Sequence, residues 1–359
     1  MKKVRSGVLS CEAKSAGVKS FLYIALLLIF SSVLCVHVGE AVAAEKQITL
    51  RLAQFTKETA GESVVMKWWG DEVMKRSGGK IKVEYYFGQK LVKMREQFDA
   101  IRTGMADLGA YVSVWMPAKA PIFTIGGMPG MPTDDFYTTL VAASKLGKTE
   151  AAQKEFTGNN VHFLTANGHT GDYIYSDKPI NRLDDLKGMS IATWGYYSRA
   201  FIIWGAKPAS IPSPEIYDAI KRGVVNGCNK PFFQGVSMAL WEVAPNVMTP
   251  KIGLNVVVPL VMNLDTWKKL PAELKKVVDE VSAEYPKKDA EIFKKIDEDA
   301  IALMKSKGMN FTKLPDEDIA KMKGMVASLW DKWADDMNQK GLPGTELKDK
   351  YYGWLQGKK

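Results

Sequence analysis

The chain has 359 residues, 46% of them hydrophobic and 25% charged, with 30 Gly and 16 Pro, a composition that fits about two domains with sizeable cores and excludes collagen, coiled coil and wholesale disorder. Its 49 Lys and Arg against 40 Asp and Glu give +9, but the excess is spread along the chain, so no nucleic acid is expected as a partner. Three His and three Cys without CxxC or HxxxH spacing argue against a metal centre, and neither metal nor cofactor is expected.

Residues 1–44 carry Lys2, Lys3, Arg5, Lys14 and Lys19, then the apolar run Phe21 to Phe30, then Ala41-Val42-Ala43-Ala44, the pattern of a secretory signal peptide cleaved near Ala44. The apolar run is half the roughly 20 residues a spanning helix needs. Cleavage removes five basic and two acidic side chains and leaves +6 on 315 residues. It also removes Cys11 and Cys35, so Cys228 stands alone, no intramolecular disulfide is available, and the fold rests on its core. The mature chain is expected in the periplasm.

From Gln47 to Ala53 polar and apolar residues alternate as in a strand, and Val64 to Arg76 has helical spacing closed by Ser77-Gly78-Gly79. Lys80 to Phe87 reads as a second strand, Met94 to Thr103 as a helix, and Ala106 to Tyr111 as a short strand. This βαβαβ rhythm predicts an α/β chain with a parallel, doubly wound sheet and ligands at its carboxyl edge. A second block opens at Val161, with strands at Val161 to Thr165, Asp172 to Tyr175 and Met189 to Thr193, and a helix from Ser213-Pro214 to Arg222. After a strand at Leu254 to Asn263, Pro271 to Gly308 reads as one long helix despite Pro286, with Leu274, Val277, Val281, Ile292, Ile296 and Leu303 inward.

The mature chain holds no GxSxG, HExxH, GxxxxGK[ST] or GxGxxG, and Gly126-Gly127-Met128-Pro129-Gly130 has the wrong glycine spacing for a dinucleotide loop. Cys228 reads as a small buried hydrophobe rather than a nucleophile paired with His169. Binding, not turnover, is the expectation, with an exported hydrolase as the alternative of a different class.

Four segments, taken together, resemble the DctP-type solute-binding proteins of tripartite ATP-independent periplasmic (TRAP) transporters. They are Gly88-Gln89-Lys90-Leu91 leading to Arg102-Thr103-Gly104-Met105-Ala106-Asp107; Lys178-Pro179-Ile180 followed by Leu183-Asp184-Asp185-Leu186-Lys187-Gly188-Met189; Gly223-Val224-Val225-Asn226-Gly227-Cys228-Asn229-Lys230-Pro231; and Trp267-Lys268-Lys269-Leu270-Pro271. The resemblance implies a two-lobe periplasmic binding protein with hinge strands and a long lobe-bridging helix. Residues 45–165 with 254–285 would form one lobe, 166–253 the other, and 286–359 C-terminal helices packing across both. It implies a receptor, not an enzyme, that closes on a small organic anion, a carboxylate or sulfonate, and delivers it to the small and large membrane subunits.

In relatives an arginine in a DLKGxKIR-like pattern pairs with the solute carboxylate, a match of guanidinium fork to planar anion. Here that position is Ala192, and a second basic position falls on Asp172. Either Arg199, Arg95 or His169 takes over the anion, or the solute is an amine-bearing or aromatic compound held by Asp172 and by rings. Trp194 and Tyr197, after the missing arginine, are the foremost ring candidates, with Tyr85, Trp115 and Phe232 behind them. Asn229 matches the family's solute-binding asparagine, and Gln54 and Gln234 are further polar candidates.

Overall fold

The computed structural model describes residues 47–254 and 256–358, so the leader expected over residues 1–44 lies outside the described residues. Strand β1 (Ile48–Gln54), helix α1 (Gly61–Arg76), β2 (Ile81–Phe87), α2 (Gln97–Arg102) and β3 (Leu108–Ala110) keep the alternation read from the apolar spacing. Helices α3 (Phe136–Gly147) and α4 (Glu150–Gly158) precede β4 (Val161–His169), β5 (Tyr173–Ser176), β6 (Ser190–Ala192) and α5 (Gly195–Ile203). Then come β7 (Lys207–Ala209), α6 (Ile216–Lys221), β8 (Gly227–Lys230), α7 (Phe232–Ser237), β9 (Asn246–Thr249) and β10 (Val256–Asn263). The chain closes with α8 (Leu264–Lys269), α9 (Ala272–Ser306), β11 (Asn310–Lys313), α10 (Asp316–Met325), α11 (Ala327–Gln339) and α12 (Gly344–Leu355).

These strands form two sheets, ordered β2-β1-β3-β10-β4 and β11-β9-β5-β8-β6-β7, one in each lobe. The all-parallel expectation is corrected: β10 runs against both β3 and β4, and β5 runs against both β8 and β9. The reason is connectivity. The chain leaves the carboxyl end of β4 through Thr170-Gly171-Asp172 directly into β5, and returns from the end of β9 through 250–254 into β10. Each crossing enters the other sheet at its carboxyl edge, so the entered strand must run backwards. The carboxyl edges of both sheets therefore face the crossing segments, where Asp172 N–H donates to the Leu254 carbonyl at 2.8 Å.

Helix α9 has 35 residues, about 50 Å of helix, and touches α1 and β4 in one lobe and α7 in the other. Its buried stripe is Leu274, Val278, Val281, Tyr285, Asp289, Phe293, Ala300 and Met304, whereas Leu303, expected inside, is 39% exposed. The polar members hid the phase. Tyr285 Oη accepts from Asn167 Nδ2 at 2.7 Å, and Asp289 Oδ2 accepts from Gly168 N–H at 3.2 Å, so two polar residues occupy inward positions because β4 offers them donors. Trp69 Nε1–H donates to Ser282 Oγ at 3.0 Å and ties α1 to the same helix.

Beside this seam Glu62 is 9% exposed, its Oε2 has no partner, and burial pushes its carboxyl up to about 7. Burial and the nearby Glu62 also raise Asp289. A carboxyl raised in the folded state binds protons that the unfolded chain, near 4.5, has lost, so its stabilising effect is present at low pH and disappears as pH rises through about 7. The expected result is a loss of about 2.5 kcal/mol of stability between pH 5 and pH 8 from Glu62. Thermal unfolding of Glu62→Gln at both values checks it: the pH dependence should flatten, and an unchanged slope would contradict it.

Candidate functional site

At the carboxyl edge of the second sheet, β5 and β8 pair with Ile174 opposite Asn229 and Tyr173 opposite Lys230. Side chains alternate along a strand, so Asp172, two residues before Ile174, shares a face with Asn229. Asn229 Nδ2–H donates to Asp172 Oδ2 at 2.6 Å, with both residues buried. Gly227 makes this pairing possible, since a Cβ there would stand 1.9 Å from the Tyr175 carbonyl oxygen.

The hydrogen bond leaves Asn229 Oδ1 without a partner, and the hydroxyl of Thr193, buried just past β6, has none either. Lys230 follows Asn229, is 9% exposed, and its ammonium makes no hydrogen bond or ion pair among the described residues. A buried amide oxygen and hydroxyl lacking partners at one strand edge are costly unless something else satisfies them. Burial pushes the Asp172 carboxyl up to about 6, against the opposing pull of the Lys230 charge and the Asn229 bond. Burial pushes His169 down to about 3, with the charges of Lys230 and Lys251 adding to the effect, so this imidazole is neutral.

The other expected residues fall in several places. Tyr197 is fully buried in the main core, and Trp194, half-buried, stands 5.3 Å from it. Phe232 is buried and stacks on Tyr173 at 3.8 Å between ring centres; Gln234 lies half-buried in the same helix turn. His169 packs against Phe233 and the α9 residue Phe293. Arg199 is exposed and lies over the Tyr196 ring. Ala192 is buried in the second core beside Cys228, whose thiol burial raises to about 12.

On the first sheet's carboxyl edge Gln54 is buried and accepts from Phe55 N–H at 2.9 Å, and Trp115 leans on Phe55 with ring centres 6.2 Å apart. Just past β3, Tyr111 Oη and Ser113 Oγ are buried without partners. Arg95 is exposed ahead of α2; Asp99, a potential partner, is held instead by Arg102 and Lys119. Tyr85 points away from this edge, donating to Asp71 Oδ1 at 2.7 Å on α1.

Lys230, Thr193, Tyr111 and Ser113 are the residues that reading the sequence missed. For Lys230 a signal existed: in a GVVDGxEN-like pattern counted without a gap from Gly223, the final position is Lys230, and Asn229 is the one before it.

The sequence profile of the DctP family, bacterial extracellular solute-binding protein family 7, matches residues 53–336. A solute-binding protein of Albidiferax ferrireducens is 29% identical over 222 residues, 60% of this chain and 64% of that one. Another from a Sulfitobacter species is 29% identical over 172 residues, 47% and 51% of the two chains. The matched part thus spans less than two thirds of the length of these relatives. Among solved structures, a TRAP periplasmic solute-binding protein of Desulfovibrio salexigens superposes with a TM-score of 0.79 at 24% identity, covering 87% of this chain and 96% of its own. A marine metagenome TRAP protein specific for aromatic acid ligands, in complex with 3-hydroxybenzoate, gives a TM-score of 0.76 at 24% identity, covering 87% and 98%.

Proposed function

The chain belongs to bacterial extracellular solute-binding protein family 7, and from that premise we propose that it is the periplasmic receptor of a TRAP transporter that captures a small organic acid, an aromatic one foremost, and hands it unchanged to the membrane subunits. The observation that carries the reading is the trio of Lys230, a largely covered residue whose ammonium has no protein partner among the described residues, with the buried and unpartnered Asn229 Oδ1 and Thr193 hydroxyl at the edge where the two sheets face each other. A solute carboxylate supplies the missing charge, the Thr193 hydroxyl donates to it, and Trp194 offers a face to an aromatic ring. Lobe closure would expel water and strengthen each of these bonds, so the solute favours the closed form through its higher affinity for it. The proteins of like fold solved with 3-hydroxybenzoate, benzoate and mandelate support an aromatic acid.

Asp172 supports a second reading, in which a solute amine pairs with its carboxylate. Thermal unfolding with benzoate, 3-hydroxybenzoate and benzylamine separates the two. At a hundred times the dissociation constant the true class adds about 2.7 kcal/mol of stability. Stabilisation by benzylamine alone would overturn the acid reading, and recovery of a chemically altered solute would overturn the receptor role itself.

A further inference from the structure

A cavity of about 730 Å³ lies where α9 passes the two crossing segments, lined by Thr170 and Lys251 from those segments, Asp297 and Ile301 from α9, and Phe136 and Tyr137 from the start of α3. Lys251 is 6% exposed and its ammonium forms no hydrogen bond or ion pair among the described residues. Thr170 is 7% exposed, and its hydroxyl lies close enough to Asp297 to pull that carboxyl down against burial, while neither Thr170 Oγ1 nor Asp297 Oδ1 has a partner in hydrogen-bond geometry. Of the other charges around the cavity, Asp134 accepts from Gly253 N–H and pairs with Lys323, Asp135 caps α3, and Glu291 pairs with Lys288, whereas Lys287, Lys294 and Glu298 are exposed at its mouth. The inward-lying groups left for a ligand are the Lys251 cation, the Asp297 carboxyl with the Thr170 hydroxyl beside it, and an apolar wall that includes Tyr137, 47% exposed.

From this juxtaposition of Lys251, Thr170 and Asp297 around an apolar-walled cavity, we propose a second binding site for a small zwitterion, an amino acid with an aromatic or large apolar side chain. Its carboxylate meets the Lys251 ammonium, its ammonium donates to Asp297 Oδ1 beside the Thr170 hydroxyl, and its side chain covers Phe136, Tyr137 and Ile301. A simple anion would leave Asp297 unsatisfied and face its charge; a simple amine would leave Lys251 unsatisfied. The opposite charges on the floor of one open pocket therefore select a molecule carrying both. None of these residues is among those assigned to the solute cleft, and the proposal does not depend on which solute the cleft takes.

Calorimetric titration of the mature chain with L-phenylalanine, 3-phenylpropanoate and 2-phenylethylamine tests it. Phenylalanine should bind at least tenfold more tightly than either matched compound, and this affinity should survive Lys230→Met in the cleft. Lys251→Met and Asp297→Asn should each weaken it at least tenfold. Tyr137→Ala, an exposed rim position that does not threaten folding, should weaken it severalfold and keeps the test decisive if Lys251→Met does not fold. No phenylalanine binding at millimolar concentration overturns the proposal, as does equal binding of 3-phenylpropanoate, loss of binding in Lys230→Met, or indifference to Asp297→Asn and Tyr137→Ala.

Discussion

Lys230→Met is expected to raise the dissociation constant for benzoate by about 30-fold to several thousand-fold, the equivalent of about 2 to 5 kcal/mol for removing one partner of a buried charge pair. Methionine keeps the length and apolar stem of the side chain, so the loss reports the ammonium rather than a void. The variant also removes the charge that holds Asp172 down, and its carboxyl, already up at about 6, should rise further. Affinity in Lys230→Met should therefore be weak at all pH values, and Lys230→Arg should recover part of it. Calorimetry on variants whose thermal unfolding is unchanged makes the measurement, and an unaltered dissociation constant would remove Lys230 from the pocket and with it the observation on which the acid reading stands.

The second large effect concerns the frame. Trp333→Ala is expected to cost about 3 to 5 kcal/mol of folding stability, because the ring is fully buried and its Nε1–H donates to Thr124 Oγ1 at 2.8 Å. Trp330 Nε1–H reaches the Pro129 carbonyl at 2.8 Å, and Trp204 Nε1–H reaches the Met322 carbonyl at 3.0 Å. Three indoles thus fasten the C-terminal helices to segments of both lobes, and Trp330 and Trp333 spend their surface inside the chain. Urea denaturation of Trp333→Ala against Trp333→Phe should leave the phenylalanine variant within about 2 kcal/mol of the parent, since it keeps most of the ring and loses one hydrogen bond. A loss under about 1 kcal/mol for alanine would mean that α11 is not anchored there.

Much of the architecture was legible because it is written in short range. Strand alternation and helical spacing placed β1, α1 and β2, and the stops at Gly78, Gly104 and Gly223 fall on residues with φ of 61°, 78° and 70°, where a side chain would be strained. That the fourth position after the glycine of Asp185-Leu186-Lys187-Gly188 is Ala192 could be counted directly. What escaped was whatever depended on a distant partner. Leu303 and Met304 are adjacent apolar residues, and only the packing of α9 decided which is inside. Tyr85 is as aromatic as Trp194, yet Asp71 on α1 takes its hydroxyl and turns it from the cleft.

By itself the sequence determined the order of elements from β1 to β3, the absence of known catalytic and metal-binding motifs, and the family, each set by residues within a few positions of one another or by a pattern in fixed order. Tertiary structure decided the two reversed strands and the grouping of unsatisfied polar atoms. Asp172 and Asn229 are 57 positions apart and meet through a register that neither encodes alone. A polar group's partner is a matter of distance in space, and a buried one without a partner, such as Asn229 Oδ1, is recognisable only after every other neighbour has been placed.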